Sequence, residues 1–300
     1  MKLCLKHLIE LSFILFVLIS TGIVAQQPIK DSILKKDTTV VQKLKALVQY
    51  VIKDTIPRKE TQKDTLLENE YQGRVYSFRQ FKHETILFGE TPLKWHSKDW
   101  VRVGVVVVLT AAIIPFDHTV SNVTQGHQSN YYIVPVILGR IYGSWYFNAA
   151  AITASVGYTV LTHNRKAEKI DVELVQAAIY SGVITEALKV TIGRATPYSN
   201  RGAFNFHPFF TFKKEFESMP NFDATSAFAL STITYRHANS TLSKIVAYLP
   251  AAFTLFADIY QNDHWASDEF IGSAIGFATG MWVVTLHEGK RHKINIIADN

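Results

Sequence analysis

Residues Ala257–Gly276 read ADIYQNDHWASDEFIGSAIG. Within them His264 and Asp268 stand one helical turn apart beside Trp265, a pairing used to orient a nucleophilic imidazole. The apolar runs on either side predict helices over Ser243–Gln261 and Ser267–Leu286. Working back along the chain, the same pattern predicts helices over Val101–Pro115, Tyr132–Leu161, Asp171–Ile192 and Ala224–His237, separated by Gly, Pro, Asn and charge clusters. The run VGVVVV from Val103 taken alone suits a strand, but its surroundings argue for a buried helix. The expected fold is all-α, a bundle of about six helices.

The chain has 300 residues, 48% hydrophobic and 19% charged, enough for one main domain with appendages. A net charge of +6 is compatible with nucleic acid or an anionic membrane surface. The Lys and Arg residues are dispersed, however, which argues against nucleic acid. Lys2 and Lys6, the apolar run Leu11–Ile19 and the sequence GIVAQQ form an export signal over residues 1–25, with cleavage after Ala25; the alternative is an uncleaved anchor. Cys4 precedes the apolar run, so it is not the lipidated cysteine of a lipoprotein signal, and the mature chain has no thiol chemistry. Residues 26–95 are polar, with KDT recurring at Lys36, Lys53 and Lys63, and read as a linker or arm. Within it Val41, Leu44, Leu47, Val48 and Val51 fall on one helical stripe. The helical domain occupies 96–290 and a tail 291–300. Arg140, Glu173, Glu186 and Asp258 interrupt the apolar segments, and few of these reach the roughly 20 clean residues a span requires.

Three segments, LKVTIGRATPYSNRGAF, MPNFDATSAFAL and ADIYQNDHWASDEFIGSAIG, resemble in order and spacing the type 2 phosphatidic acid phosphatase family, which shares its fold with bacterial acid phosphatases and vanadium haloperoxidases. The family patterns are K-x6-R-P, P-S-G-H and S-R-x5-H-x3-D. The resemblance covers Trp100 to Leu286. It implies a helical bundle in which a histidine nucleophile is phosphorylated, an aspartate orients it, and a second histidine serves as general acid. A lysine, two arginines, a serine and a glycine amide hold the phosphate, as the charge spread over phosphoryl oxygens demands.

Carried over by position, the catalytic places are His264, Asp268 and Asp223, and the phosphate-binding places are Lys189, Arg194, Thr196, Asn221 and Asp258. Lys189, Pro197, Pro220, His264 and Asp268 match. Thr196 and Asp258 replace arginines, Ala257 replaces the serine of the third motif, and Asn221, Phe222 and Asp223 replace serine, glycine and the acid histidine. Two guanidinium groups are lost and two carboxylates gained in a site for a dianion. Each close charge pair is worth about 4 kcal/mol at an effective dielectric of about 20. Arg194 and His207 are the residues placed to compensate.

The expectation is an exported domain, periplasmic or in the cell envelope, with a degenerate phosphatase centre and a role in binding, assembly or envelope structure. No metal or cofactor is expected, although Asp223, Asp258, Asp263, His264 and Asp268 supply metal-type ligands that Lys189 opposes. The ligand class is a phosphate ester or lipid, with a membrane surface as partner; the sequence names no protein partner. The alternative is an active phosphomonoesterase working through phospho-His264. An exported bundle that rests against a membrane without fully spanning it satisfies the topology most simply; five spans also satisfy it.

Overall fold

The structure, a computed structural model, describes residues 78–209 and 213–298, with side chains as far as residue 288. The export signal, the KDT repeats and the stripe at Val41–Val51 lie outside the described residues. Ten helices of six or more residues are described: α1 (Phe78–Glu90), α2 (Ser97–Ile113), α3 (Asp117–Gly126), α4 (Ile133–Gly143), α5 (Trp145–Thr162), α6 (Arg165–Ile192), α7 (Phe222–His237), α8 (Thr241–Val246), α9 (Leu249–Tyr260) and α10 (Ala266–Ala298). Only an isolated bridge between Arg194 and Phe206 interrupts this all-α architecture among the described residues.

Local chemistry explains where the helices depart from the sequence reading. The segment expected as one helix over Tyr132–Leu161 is two, because the Ser144 hydroxyl accepts from Phe147 N and starts α5 afresh. The segment expected over Ser243–Gln261 is also two, with Pro250 in the first turn of α9. Helix α6 begins earlier than Asp171, since the Asn164 side chain accepts from Lys166 N and Ala167 N. It stops at Gly193, where φ is +57° and a Cβ would lie 1.9 Å from the His207 carbonyl oxygen, so glycine alone fits. Residues read as the end of the polar arm form α1. Its Phe88 stacks on Tyr180 at 4.4 Å and meets the edge of Trp282 at 4.9 Å.

Helix α7 is the central element and packs against α4, α5, α6, α8, α9 and α10. Its sequence FDATSAFALSTITYRH is short on bulky side chains, which lets neighbours approach closely. The hydroxyls this buries are satisfied: Thr225 donates to Asn221 O, Ser231 pairs with Tyr142 and Thr232 with Tyr248. Opposite it, α10 presents Gly272, Gly276 and Gly280 one turn apart. A Cβ on Gly276 would lie 2.1 Å from the Thr225 carbonyl oxygen. An apolar core of Ala177, Tyr180, Ala229, Ile233, Val283 and Val284 joins α6, α7 and α10.

Among the described residues three stretches, Ser97–Gly126, Thr241–Tyr260 and Ala266–Glu288, are long and apolar enough to cross a membrane. In the first only 17% of the apolar window is buried, so the chain turns this surface outward. The valines at 101, 103, 107 and 108 on α2 are all exposed, as lipid-facing residues are.

The contact between α7 and α10 predicts that Gly276→Ala costs about 3 kcal/mol or more of stability through overpacking. Gly157→Ala on α5, where a Cβ meets nothing within 4 Å, gains about 0.5–1 kcal/mol from helix propensity. Denaturant unfolding in detergent separates the two.

Candidate active site

The turn Gln261–Trp265 joins α9 to α10, and His264 hangs from it rather than from a helix. Its Nδ1 lies 2.9 Å from the Ser218 carbonyl oxygen. A carbonyl only accepts, so Nδ1 carries the proton and Nε2 keeps its lone pair. Desolvation and then the neighbouring Lys189 charge push the imidazole down to about 3, leaving it neutral at ordinary pH.

Asp268 makes no hydrogen bond to His264. The first residue of α10 is Ala266, so the spacing that suggests a hydrogen bond between them lies across the helix start. Instead Asp268 accepts from Arg194 Nη1 at 2.5 Å, from the Ser218 hydroxyl at 2.5 Å and from Trp265 N at 3.1 Å. Ser218 thus links the two: its hydroxyl is held by Asp268 and its carbonyl holds His264.

Arg194 is fully buried, and its five N–H groups are all spent. Nε donates to Ala203 O at 2.9 Å, Nη1 to the Ser267 hydroxyl at 2.6 Å and to Asp268, and Nη2 to Asp117 Oδ2 at 2.7 Å and Ala203 O at 2.7 Å. A guanidinium has five donors, so none remains for a phosphate. Asp117 also accepts from Ser267 N at 3.0 Å and from its hydroxyl at 2.6 Å. The other residue placed to compensate, His207, packs its ring on Phe216 at 4.4 Å. Thr196 is buried in the loop after α6, where its backbone N–H donates to Glu215 O at 2.9 Å.

The remaining site residues do converge. Asn221 caps α7 by accepting from Asp223 N at 2.8 Å. Its Nδ2 donates to Asp258 Oδ2 and to Glu269 Oε1, each at 2.6 Å. All three are buried, and Glu269 Oε2 has no partner. Asp223, in the first turn of α7 and outside the three apolar stretches, is pushed up to about 6 by burial; Lys189 and Arg140 oppose this, and Asp263 adds to it. Asp263 is raised by burial too, against the pull of Arg140, which lies 3.8 Å away. Lys189 Nζ lies 3.2 Å from Glu186 Oε1 and 5.6 Å from the centre of the Phe222 ring. Among the described residues no group of His, Cys, Asp or Glu is arranged to hold a metal ion.

Sequence reasoning missed Asp117, Ser218, Ser267, Arg140 and Glu269. Ser267 and Glu269 carried a local signal, as the two neighbours of Asp268 in the opening stretch.

Residues 172–292, from α6 into α10, match the PAP2 superfamily and include all three motif segments. The resemblance read from the motifs is to this superfamily, and the all-α fold is the one it implies. LpxE of Aquifex aeolicus is 18% identical with a TM-score of 0.44, over 57% of this chain and 95% of that one. The first transmembrane PAP2 type phosphatidylglycerolphosphate phosphatase from Bacillus subtilis is 16% identical with a TM-score of 0.45, over 61% and 92%. No curated protein matches the chain.

Two predictions follow from the site's electrostatics. Arg194→Met leaves Asp117 and Asp268 buried without their cation and destabilises by about 3–5 kcal/mol, read as a large fall in the unfolding midpoint. For Asp223 the folded value of about 6 lies above the ordinary aspartate value of 3.8. The native state therefore holds the proton more tightly, and stability falls as pH rises through that window. Asp223→Asn removes the penalty: the variant is more stable than the wild type at pH 7.5, and the difference closes as pH falls below 3.8. The depressed His264 acts in the opposite sense, costing stability as pH falls below 6.5, but equally in both proteins.

Proposed function

We propose that this chain is a membrane-associated, exported PAP2-like protein whose phosphate centre no longer holds phosphate, and that it acts by binding or assembly in the cell envelope. The observation that carries this reading is the group Asp258–Asn221–Glu269. Two carboxylates share one amide where the family's frame calls for a guanidinium and a serine. The donors that would meet an oxyanion are turned on the protein's own acids. A phosphate beside Asp258, Glu269 and Asp223 would meet carboxyls and no guanidinium in a poorly solvated place. Lys189 is the matching cation that remains, and Glu186 already pairs with it. Phe222 stands where glycine would let the backbone approach an oxyanion. The apolar outer faces support the membrane part of the proposal.

A second reading has observations of its own. The His264 tautomer leaves Nε2 ready to attack phosphorus. Asp223, pushed up to about 6, carries a proton often enough near neutral pH to donate to a leaving oxygen. On this reading the chain is a phosphomonoesterase acting on lipid or soluble phosphate esters: Nε2 forms the N–P bond, the ester P–O bond breaks, and the leaving oxygen takes the Asp223 proton.

Calorimetric titration of the purified chain with orthovanadate, which mimics the phosphoryl transition state, decides between them. No binding by the wild type is the expected result, with binding and phosphatase activity appearing in the double variant Asp223→His, Asp258→Arg. Tight binding by the wild type that His264→Ala abolishes would establish the enzyme instead.

A further inference from the structure

A second concave feature lies at the other end of α6. Helices α5 and α6 are joined by the two residues His163 and Asn164, and beside this hairpin opens a cleft of about 400 Å³ lined also by α1. Its walls are apolar, formed by Phe81, Val156, Val160, Val172 and Val175. A volume of this size suits a small ligand or part of a lipid. Asp171, which lines the cleft, lies about 27 Å from Lys189 along α6, at about 1.5 Å per residue. The cleft is therefore separate from the candidate active site.

The polar lining is unfinished. Asp171 is only 4% exposed, and it receives the Ser155 hydroxyl on Oδ1 while Oδ2 has no hydrogen-bond partner. On the facing helix Thr159 Oγ1, also buried, has none either. A buried carboxylate oxygen left unpaired is costly, and such groups ordinarily find a donor. The other charges of the lining cancel, because Arg165 Nη1 meets Glu168 Oε2 at 2.9 Å. What remains, beside the His163 ring, is the Asp171 carboxylate and one hydroxyl inside an apolar cleft.

We propose that this cleft binds an amphiphile with a primary ammonium head, the head donating N–H bonds to Asp171 Oδ2 and Thr159 Oγ1 and the alkyl chain lying along Val156, Val160, Val172 and Val175. A neutral alcohol satisfies the hydrogen bonds but not the charge. A quaternary ammonium satisfies the charge but brings no N–H. An anionic amphiphile meets the carboxylate with repulsion. The same ammonium chemistry comes from two sources, a free long-chain amine or the ethanolamine head of a phospholipid; with the latter, the phosphate would have to share Arg165, which lines the cleft, with Glu168.

The test uses the full chain in an uncharged detergent, titrated with dodecylamine, dodecanol and dodecyltrimethylammonium. Saturable dodecylamine binding is expected, with the other two at least tenfold weaker. Asp171→Asn weakens it at least tenfold. Val160→Trp, at a position 63% exposed and so tolerant of bulk, fills the cleft and abolishes binding while circular dichroism and the unfolding midpoint stay unchanged. Displacement of dodecylamine by phosphatidylethanolamine but not phosphatidylcholine in lipid nanodiscs assigns the phospholipid; no displacement by either assigns the free amine. Absence of saturable dodecylamine binding, equal binding of the three amphiphiles, or unchanged binding in Val160→Trp overturns the proposal.

Discussion

The buried guanidinium of Arg194 is the interaction on which the rest of the site rests. Taking it and two carboxylates out of water is expensive, and the cost is recovered only if every donor and acceptor is placed well. Here each N–H has its acceptor, and the acceptors come from three separate parts of the chain: the start of α3, the loop after α6 and the first turn of α10. Those parts are thereby fixed to one another. Because Asp117 also takes Ser267 N and Asp268 takes Trp265 N, the same network satisfies donors at the head of α10, where negative charge is favoured. Asp268 then holds the Ser218 hydroxyl, and the Ser218 carbonyl sets the tautomer of His264. The orientation of the imidazole is thus a consequence of an ion cluster that His264 does not join.

How far the sequence disclosed this depends on whether a signal was local. The helical periodicity located the six main segments, and the spacing of three motifs pointed to Lys189, Asn221, Asp223, Asp258 and His264, which do converge at one end of the bundle. Helix breaks at Ser144 and near Pro250 went unread because the apolar pattern runs through them, and a single cap decides the break. The spacing of His264 and Asp268 suggested a direct contact because it assumed that the helix already included His264. Asp117 was beyond reach: its partners stand far along the chain, and nothing near it distinguishes a hub from a surface acid. Arg194 was singled out as a phosphate ligand, whereas its partners take all its donors, and only three-dimensional accounting shows that.

A phosphate cradle and the group around Asn221 differ in what they need. Guanidinium and amide donors aimed at a cavity are satisfied only when an anion arrives, so an empty cradle carries a standing cost in unpaired groups. Asn221 spends both amide hydrogens on Asp258 and Glu269 and its carbonyl on the head of α7. The protein meets these hydrogen-bonding needs internally, at the expense of one carboxylate oxygen on Glu269. That arrangement needs no ligand to satisfy it, and on the proposed reading the carboxyls that offer a phosphate no positive charge also hold the amide that would have to turn to receive it.

The neutral His264 marks the limit of what one retained group contributes. Its Nε2 lone pair is free, but the environment that pushes the imidazole down to about 3 also makes it a poor base, and nucleophilicity falls with basicity. Transfer of a phosphoryl group asks little of the nucleophile and much of the surrounding charge, because the transition state is loose and its charge sits on the equatorial oxygens. On the proposed reading, a site with the imidazole and Lys189 but no guanidinium at the positions of Thr196 and Asp258 keeps the smaller part of such an apparatus.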